Sequence, residues 1–318
     1  MATPPPFKKI LLVDTMHQAF KIHLESRGFE CTEGYTMTRE DLLANVHLYD
    51  GLAIRSRLKI DKEILDHAIH LKFIARAGAG MENIDVDYAQ SINIQCLHAP
   101  EGNKDAVAEH ALGMLLSLFN NLNRADAEVR KSIWIREGNR GIELMGKTVG
   151  IIGYGNMGMA FAQRLSGFGV QVLAYDKYKK DYSDAFALES DMQEIFDQTD
   201  VLSLHLPLSA DTFDLVNNVF LNSFKNNIHI INTSRGKIVN TADLVENIKK
   251  GKVLGACLDV LEYESSSFES LAPSDFPEPF QYLINSSKVI LSPHIAGWTQ
   301  ESNVKIAGVL AGKIVALY

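Results

Sequence analysis

The sequence predicts an α/β protein built from two doubly wound parallel-sheet domains. Short apolar, β-branched runs alternate with segments of helical spacing, and the alternation starts afresh after a long helical stretch that begins near Asp105. The length, 318 residues, leaves room for two domains of ordinary size.

In the first half the expected strands are "KKILLVD" (8–14), "DGLAIR" (50–55), "LKFIAR" (71–76) and "INIQCL" (92–97), with helical spacing near 16–27 and 60–69. One long helix is expected from Asp105 through "AVAEHALGMLLSLFNNLNRADAEVRK". The second half supplies "TVGIIG", "VQVLAYD", "DVLSLHL", "IHIINTS", "VLGACLD" and "KVILSPH", with helices such as "NMGMAFAQRLSGFG" and "TADLVENIKKG" between them. Strands that are apolar almost throughout belong to a sheet covered on both faces. The closing "TQESNVKIAGVLAGKIVALY" reads as a helix able to pack back on the first domain, and "ESSSFESLAPSDFPEPF" (264–280) reads as a surface loop.

With 46% hydrophobic and 22% charged residues, the composition is that of a soluble globular chain. No apolar run is long enough to span a bilayer, and the start lacks a signal-peptide pattern, so a cytoplasmic location is expected. The net charge of -8 argues against general attraction to nucleic acid or to an anionic membrane, which leaves a small molecule as the expected partner. Cys31, Cys96 and Cys257 are too scattered for a disulfide framework or a metal site; they read as small hydrophobes, and no metal is expected.

"VGIIGYGNMG" places Gly153, Gly155 and Gly158 as G-x-G-x-x-G between an expected strand and an expected helix. The first glycine permits the turn, the second admits a pyrophosphate against backbone, and the third lets helix and strand pack closely. Asp176, ending the next strand, is placed to accept hydrogen bonds from ribose hydroxyls and would repel a 2′-phosphate. This is a Rossmann-like arrangement, and NAD is the expected cofactor; the alternative is a packing turn followed by a solvated aspartate.

Three more strand ends carry chemistry: Arg235 in "INTSRG", Glu264 beyond "LDVLEYE" and His294 in "LSPHIAGW". Ligands of open α/β sheets gather at the carboxyl ends of strands, so the three can converge. Reducing a 2-keto acid by hydride needs a proton donor for the nascent alkoxide and a cation for the substrate carboxylate. His294 suits the first task, with Glu264 stabilising its imidazolium, and the fork of Arg235 suits the second. Taken singly, each also fits an ordinary loop residue or a histidine at the mouth of a core.

"GKTVGIIGYGNMG", "LHLPLSADT", "INTSRGKIVN", "GACLDVLEYE" and "SPHIAGWTQES" together resemble the D-isomer-specific 2-hydroxyacid dehydrogenases, and "LKFIARAGAGMENID" and "GNKDAVAEHALGML" extend the likeness over nearly the whole chain. The resemblance implies Arg235, Glu264 and His294 as the catalytic set. It implies a substrate-binding domain of residues 1–100 and 295–318, interrupted by an NAD-binding domain of residues 101–294, with a cleft between them. Asn156 and Met157 would present backbone to the pyrophosphate, His205, Leu206 and Pro207 would border the adenosine, and Thr233, Asp259 and Gly297 would lie toward the nicotinamide. A homodimer is implied, with the segment from Leu112 to Leu144 as candidate contact, although its aliphatic face could equally be core.

"RAGAGMENID" is most like the phosphoglycerate dehydrogenase branch, which implies Ala79 and Gly80 as backbone donors to the substrate carboxylate and Arg55 and Arg76 as holders of its anionic remainder. Arg57 and Lys59 are weaker candidates with an even claim to ordinary surface charge. Ser265 and Leu261 stand where the family often has proline and phenylalanine, the Ser/Pro loop is long, and Trp298 is unusually bulky. The chain ends on its returning helix, so feedback through an appended serine-sensing domain is not expected. A hydroxypyruvate or glyoxylate reductase is the alternative enzyme, and an NAD-sensing corepressor-like binding protein is the alternative of another class.

Overall fold

The computed structural model describes residues 8–264 and 276–318. The chain divides into two compact units, one holding residues 8–103 and Trp298–Tyr318, the other residues 104–264 and 276–297.

The first unit is laid down as β1 (Lys8–Leu12), α1 (Gln18–Glu25), β2 (Phe29–Glu33), α2 (Arg39–Asn45), β3 (Gly51–Ile54), α3 (Lys62–His67), β4 (Phe73–Arg76), α4 (Val86–Ser91) and β5 (Gln95–His98). Its five strands pair in parallel in the order β2-β1-β3-β4-β5. β3 is buried along its whole length because both faces of the sheet are covered. Side-chain caps start the helices: Thr38 and Asp41 form a reciprocal capping box on α2, and His17 caps α1.

The second unit runs α5 (Lys104–Phe119), α6 (Leu122–Arg130), β6 (Thr148–Ile152), α7 (Asn156–Leu165), β7 (Gln171–Tyr175), β8 (Leu188–Glu189), α8 (Met192–Gln198), β9 (Val201–Leu204), α9 (Asn218–Ser223), β10 (Ile228–Asn232), α10 (Thr241–Lys250), β11 (Val253–Leu258), α11 (Glu278–Asn285) and β12 (Val289–Leu291). Its seven parallel strands follow the order β12-β11-β10-β9-β6-β7-β8. From β6 the chain winds outward in one direction through β7 and β8, then in the other from β9. The strand order therefore reverses between β6 and β9.

Finally α12 (Gln300–Val315) returns to the first unit, where Ala307, Leu310, Ala311 and Ile314 are buried against Ile10, Leu12, Phe20 and Leu24. The expected return of the last helix is what the structure shows. Among the described residues no helix is long and apolar enough to cross a membrane.

Four expectations need correction. β2 and β8 are strands that the apolar pattern did not show, since β2 has Phe29 as its only buried residue and β8 spans two residues at an edge. The long helix is two helices, because Asn121 between α5 and α6 takes a left-handed φ of 52°. Of the expected loop 264–280, residues 265–275 lie outside the described residues, and Glu278–Phe280 form the first turn of α11, entered through Pro277. The aliphatic face beginning at Leu112 divides: Met114, Leu115 and Phe119 are core, whereas α6 buries none of its residues.

Candidate active site

At the carboxyl end of β6, Gly153 has φ +95°, and a Cβ there would lie 2.3 Å from the His205 carbonyl oxygen. A Cβ on Gly158 would lie 2.2 Å from the carbonyl oxygen of Gly153, so only glycine lets α7 approach the strand this closely. Around Gly155, by contrast, nothing lies within 4 Å of the Cβ position. Gly155 also starts α7 without a side-chain cap, so the amides at Asn156 and Met157 open the helix toward uncrowded space. An uncapped helix start facing open space fits an anionic diphosphate.

Asp176 fastens this turn. Its Oδ2 accepts from the Tyr154 amide at 2.9 Å, and its Oδ1 accepts from the amides of Tyr178 and Lys179 at 3.0 and 3.2 Å. A carboxylate has about four acceptor sites, so capacity for a ribose hydroxyl remains. His205 follows β9 beside the turn, with Nε2 2.9 Å from the Ser203 hydroxyl. Burial pushes its pKa down to about 4, which keeps the ring neutral near pH 7. Leu206 packs on the core, and the Pro207 carbonyl accepts the Thr212 hydroxyl at 2.6 Å. After β10, the Thr233 hydroxyl is buried and has no hydrogen-bond partner among the described residues. A buried orphan hydroxyl calls for a ligand atom, and with the open glycine turn it makes this strand-end row fit a dinucleotide.

Arg235 stands in extended conformation two residues beyond Thr233. Asn232 Nδ2 donates to its carbonyl at 2.9 Å, and its own Nη1 donates to the Ser234 carbonyl at 2.6 Å. At the next position, a Cβ on Gly236 would come within 2.0 Å of the Leu261 carbonyl group, so the turns after β10 and β11 touch backbone to backbone. The turn after β11 then presents Glu264. One of its carboxylate oxygens accepts from the Leu261 amide, and the other lies 2.7 Å from His294 Nδ1. The side chains of His294 and Glu264 are 23% and 13% exposed. Glu264 thus fixes the His294 ring through Nδ1, the arrangement in which a carboxylate orients an imidazole.

His294 has φ +57°, a left-handed conformation uncommon for a residue with a Cβ. Asp259 supports it. This carboxylate, 1% exposed, accepts from the Ser292 hydroxyl at 2.5 Å and from the amides of Ile295 and Ala296 at 2.9 and 2.8 Å. His110 Nε2 lies 3.4 Å from the same carboxylate and 2.9 Å from Ser292 Oγ. Burial opposes the charge of Asp259, but these hydrogen bonds outweigh it and hold the pKa below the usual range. Gly297 is the last residue of the second unit, three positions beyond His294. His110 and Ser292 are functional neighbours that the sequence reading missed, since neither stands in a catalytic pattern of its own.

In the first unit, Arg55 follows β3. Its amide donates to the buried Asp14 carboxylate at 2.5 Å, and its guanidinium stacks 4.2 Å from the centre of the Trp298 ring. Arg57 is tied down instead: it reaches Asp14 at 3.0 Å and the carbonyls of Met37 and Val13 at 2.6 Å each, so it serves the fold rather than anion capture. Lys59 is exposed. Arg76 ends β4, and the loop after it turns through Gly78 at φ +154°. The Ala79 carbonyl bonds His98 Nδ1 at 2.6 Å, whereas the amides of Ala79 and Gly80 have no hydrogen-bond partner among the described residues. Asn103, also unremarked in the sequence, has a buried side-chain oxygen with no partner among the described residues.

Residues 112–296 match the family model described as D-isomer specific 2-hydroxyacid dehydrogenase, NAD binding domain. The chain is 33% identical over 309 residues to a D-3-phosphoglycerate dehydrogenase of Archaeoglobus fulgidus, covering 96% of itself but 56% of that protein. It thus spans little more than half the length of that relative. A hydroxypyruvate reductase of Thermotoga maritima is 32% identical, with 93% of this chain and 94% of that one covered. The D-lactate dehydrogenase from Aquifex aeolicus, solved with NAD and lactic acid, superposes with a TM-score of 0.80 at 25% identity, covering 98% of this chain and 95% of that one. The glycine turn, the Glu264–His294 pair and a likeness running almost end to end agree: the chain belongs to the D-isomer specific 2-hydroxyacid dehydrogenases.

Proposed function

We propose that this protein is an NAD-dependent oxidoreductase that interconverts a D-2-hydroxy acid and its 2-keto acid, with 3-phosphoglycerate as the substrate. The observation that carries the reading is the His294–Glu264 pair, in which a carboxylate holds the imidazole through Nδ1. Bound NAD supplies or accepts the hydride. Gly153, Gly155, Asn156, Met157 and Gly158 cradle the diphosphate, Asp176 holds the adenosine ribose, and His205, Leu206 and Pro207 border the adenine side. Thr233, Asp259 and Gly297 flank the nicotinamide, with the orphan Thr233 hydroxyl as the strongest sign of a missing partner.

In the reductive direction protonated His294 gives its proton to the carbonyl oxygen as hydride arrives at carbon. Glu264 stabilises the imidazolium before transfer, and the Arg235 fork holds the carboxylate and polarises the carbonyl. Arg55, Arg76 and the free amides of Ala79 and Gly80 serve the rest of the anionic substrate. The comparable likeness to a hydroxypyruvate reductase supports a second reading with the same chemistry and an unphosphorylated acid.

A homodimer is part of the proposal. Leu122, Val129, Trp134, Ile135 and Ile142 are exposed, Trp134 at 79%, and α6 buries nothing within its own chain.

The deciding experiment follows NADH oxidation with hydroxypyruvate phosphate, hydroxypyruvate, glyoxylate and pyruvate at matched concentrations. A clear preference for the phosphorylated acid is expected. Turnover of unphosphorylated acids alone would move the assignment to the reductase reading, and turnover of none would remove the enzyme reading.

A further inference from the structure

Within the second unit, α5 brings a histidine to the carboxyl ends of β11 and β12. His110 and Met114 stand four positions apart and therefore on the same face of the helix. Both reach Ser292, the residue that follows β12: His110 Nε2 lies 2.9 Å from its Oγ, and Met114 Sδ lies 3.7 Å from the same oxygen. Ser292 Oγ is also 2.5 Å from Asp259 Oδ1, which accepts the Ile295 amide at 2.9 Å.

The Ser292 hydroxyl has one proton to give, and two strong acceptors stand within its reach. With His110 Nε2 bare, the proton could turn to the ring, and the Asp259 carboxylate would then face an oxygen lone pair. Asp259 is 1% exposed, so water is not there to relieve that repulsion. A proton on Nε2 removes the choice. The ring then donates to Oγ, and the hydroxyl proton is directed to the carboxylate in a charge-assisted bond. The Met114 sulfur is a weak acceptor and does not compete.

The end of this chain of donors is the backbone around His294. Ser292 lies two positions before it, and the same Asp259 carboxylate accepts from the amides of Ile295 and Ala296 just beyond it. The loop is thus gripped on both sides of a residue held at φ +57°. We propose that His110 is a positioning residue for His294: its proton on Nε2 aims the Ser292 hydroxyl at Asp259 and so completes the clamp on the His294 backbone. The inference rests on the dehydrogenase reading, and it adds a residue of α5 that touches neither substrate nor cofactor.

The test measures kcat and KM for NADH and for the keto acid that wild-type protein reduces fastest, in His110→Leu, His110→Gln, Ser292→Ala and the double variant of His110→Leu with Ser292→Ala. In His110→Leu kcat is expected to fall about tenfold while both KM values change less than about twofold. Glutamine offers an amide N–H in place of Nε2, so His110→Gln should recover kcat to within about threefold of wild type. Ser292→Ala should match His110→Leu, and the double variant should be no worse than either, because the two residues act in series. An unchanged kcat in His110→Leu, equal losses in His110→Leu and His110→Gln, or losses that multiply in the double variant overturn the proposal. The tautomer is read separately from long-range nitrogen–proton NMR spectra of protein carrying isotope-labelled histidine, the His110 signals being those absent from His110→Gln. A proton on Nε2 supports the chain of donors, and a bare Nε2 overturns it. If wild-type protein reduces no keto acid, the dehydrogenase reading has failed, and the chain of donors is judged on this spectrum alone.

Discussion

His294 depends on two different carboxylates. Glu264 orients the ring, while Asp259 gathers the hydroxyl and amides that hold the left-handed backbone beneath it. His294→Ala is therefore expected to lower kcat by about a thousandfold while NADH binding stays near wild type, measured by steady-state kinetics and NADH fluorescence titration. Glu264→Gln keeps an acceptor for Nδ1 but loses the charge, and should cost less kcat than Glu264→Ala. Asp259→Ala is expected to lower kcat about a hundredfold or more, since misplacing a catalytic group by about 1 Å has that effect. His294, Glu264 and Arg235 stood out in the sequence as candidates because proton exchange and carboxylate binding call for those side chains. The clamp by Asp259 was not, because its main donors are the amides of Ile295 and Ala296, and an amide has no letter in a sequence.

Among the elements, the same distinction separates what was read from what was missed. Core strands such as β9 and β10 are buried throughout and stand out as apolar runs, while β2 pairs through backbone at an edge and keeps polar side chains. The turn from β6 to α7 was legible down to individual glycines, and it yields a paired prediction. In Gly158→Ala the new methyl meets a carbonyl oxygen that cannot yield, so a loss of about 2–4 kcal/mol is expected in urea unfolding. Gly155→Ala meets nothing, and stability should change by less than about 1 kcal/mol. Its NADH affinity should nevertheless fall about tenfold or more, because the methyl enters the space assigned to the diphosphate. Equal NADH affinity in Gly155→Ala and wild type would remove that assignment. For α6, Trp134→Glu should shift sedimentation from dimer toward monomer; an unchanged profile would leave that face without its proposed partner.

At the scale of the molecule, acid is expected to weaken the fold before most carboxylates titrate. Burial lowers the imidazoles of both His205 and His229 to about 4, and for His229 the charge of Lys147 adds to the effect. In the unfolded chain they titrate near 6.5, so between those values the unfolded state binds more protons. Stability is full above about pH 6.5 and is lost as the pH falls toward 4. The urea midpoint should drop through this window, and the drop should be smaller in His229→Gln; a midpoint flat from pH 7 to 4.5 would contradict the burial of these rings.

The return of α12 has a consequence for biosynthesis. Ile10, Phe20 and Leu24 leave the ribosome early, yet the helix that covers them is made only after the whole second unit. At synthesis speeds of about 5–20 residues per second, the unfinished first sheet waits on the order of ten seconds or more with that apolar face uncovered. The nascent chain should be most open to chaperone capture and proteolysis in this interval, and both should subside once α12 emerges.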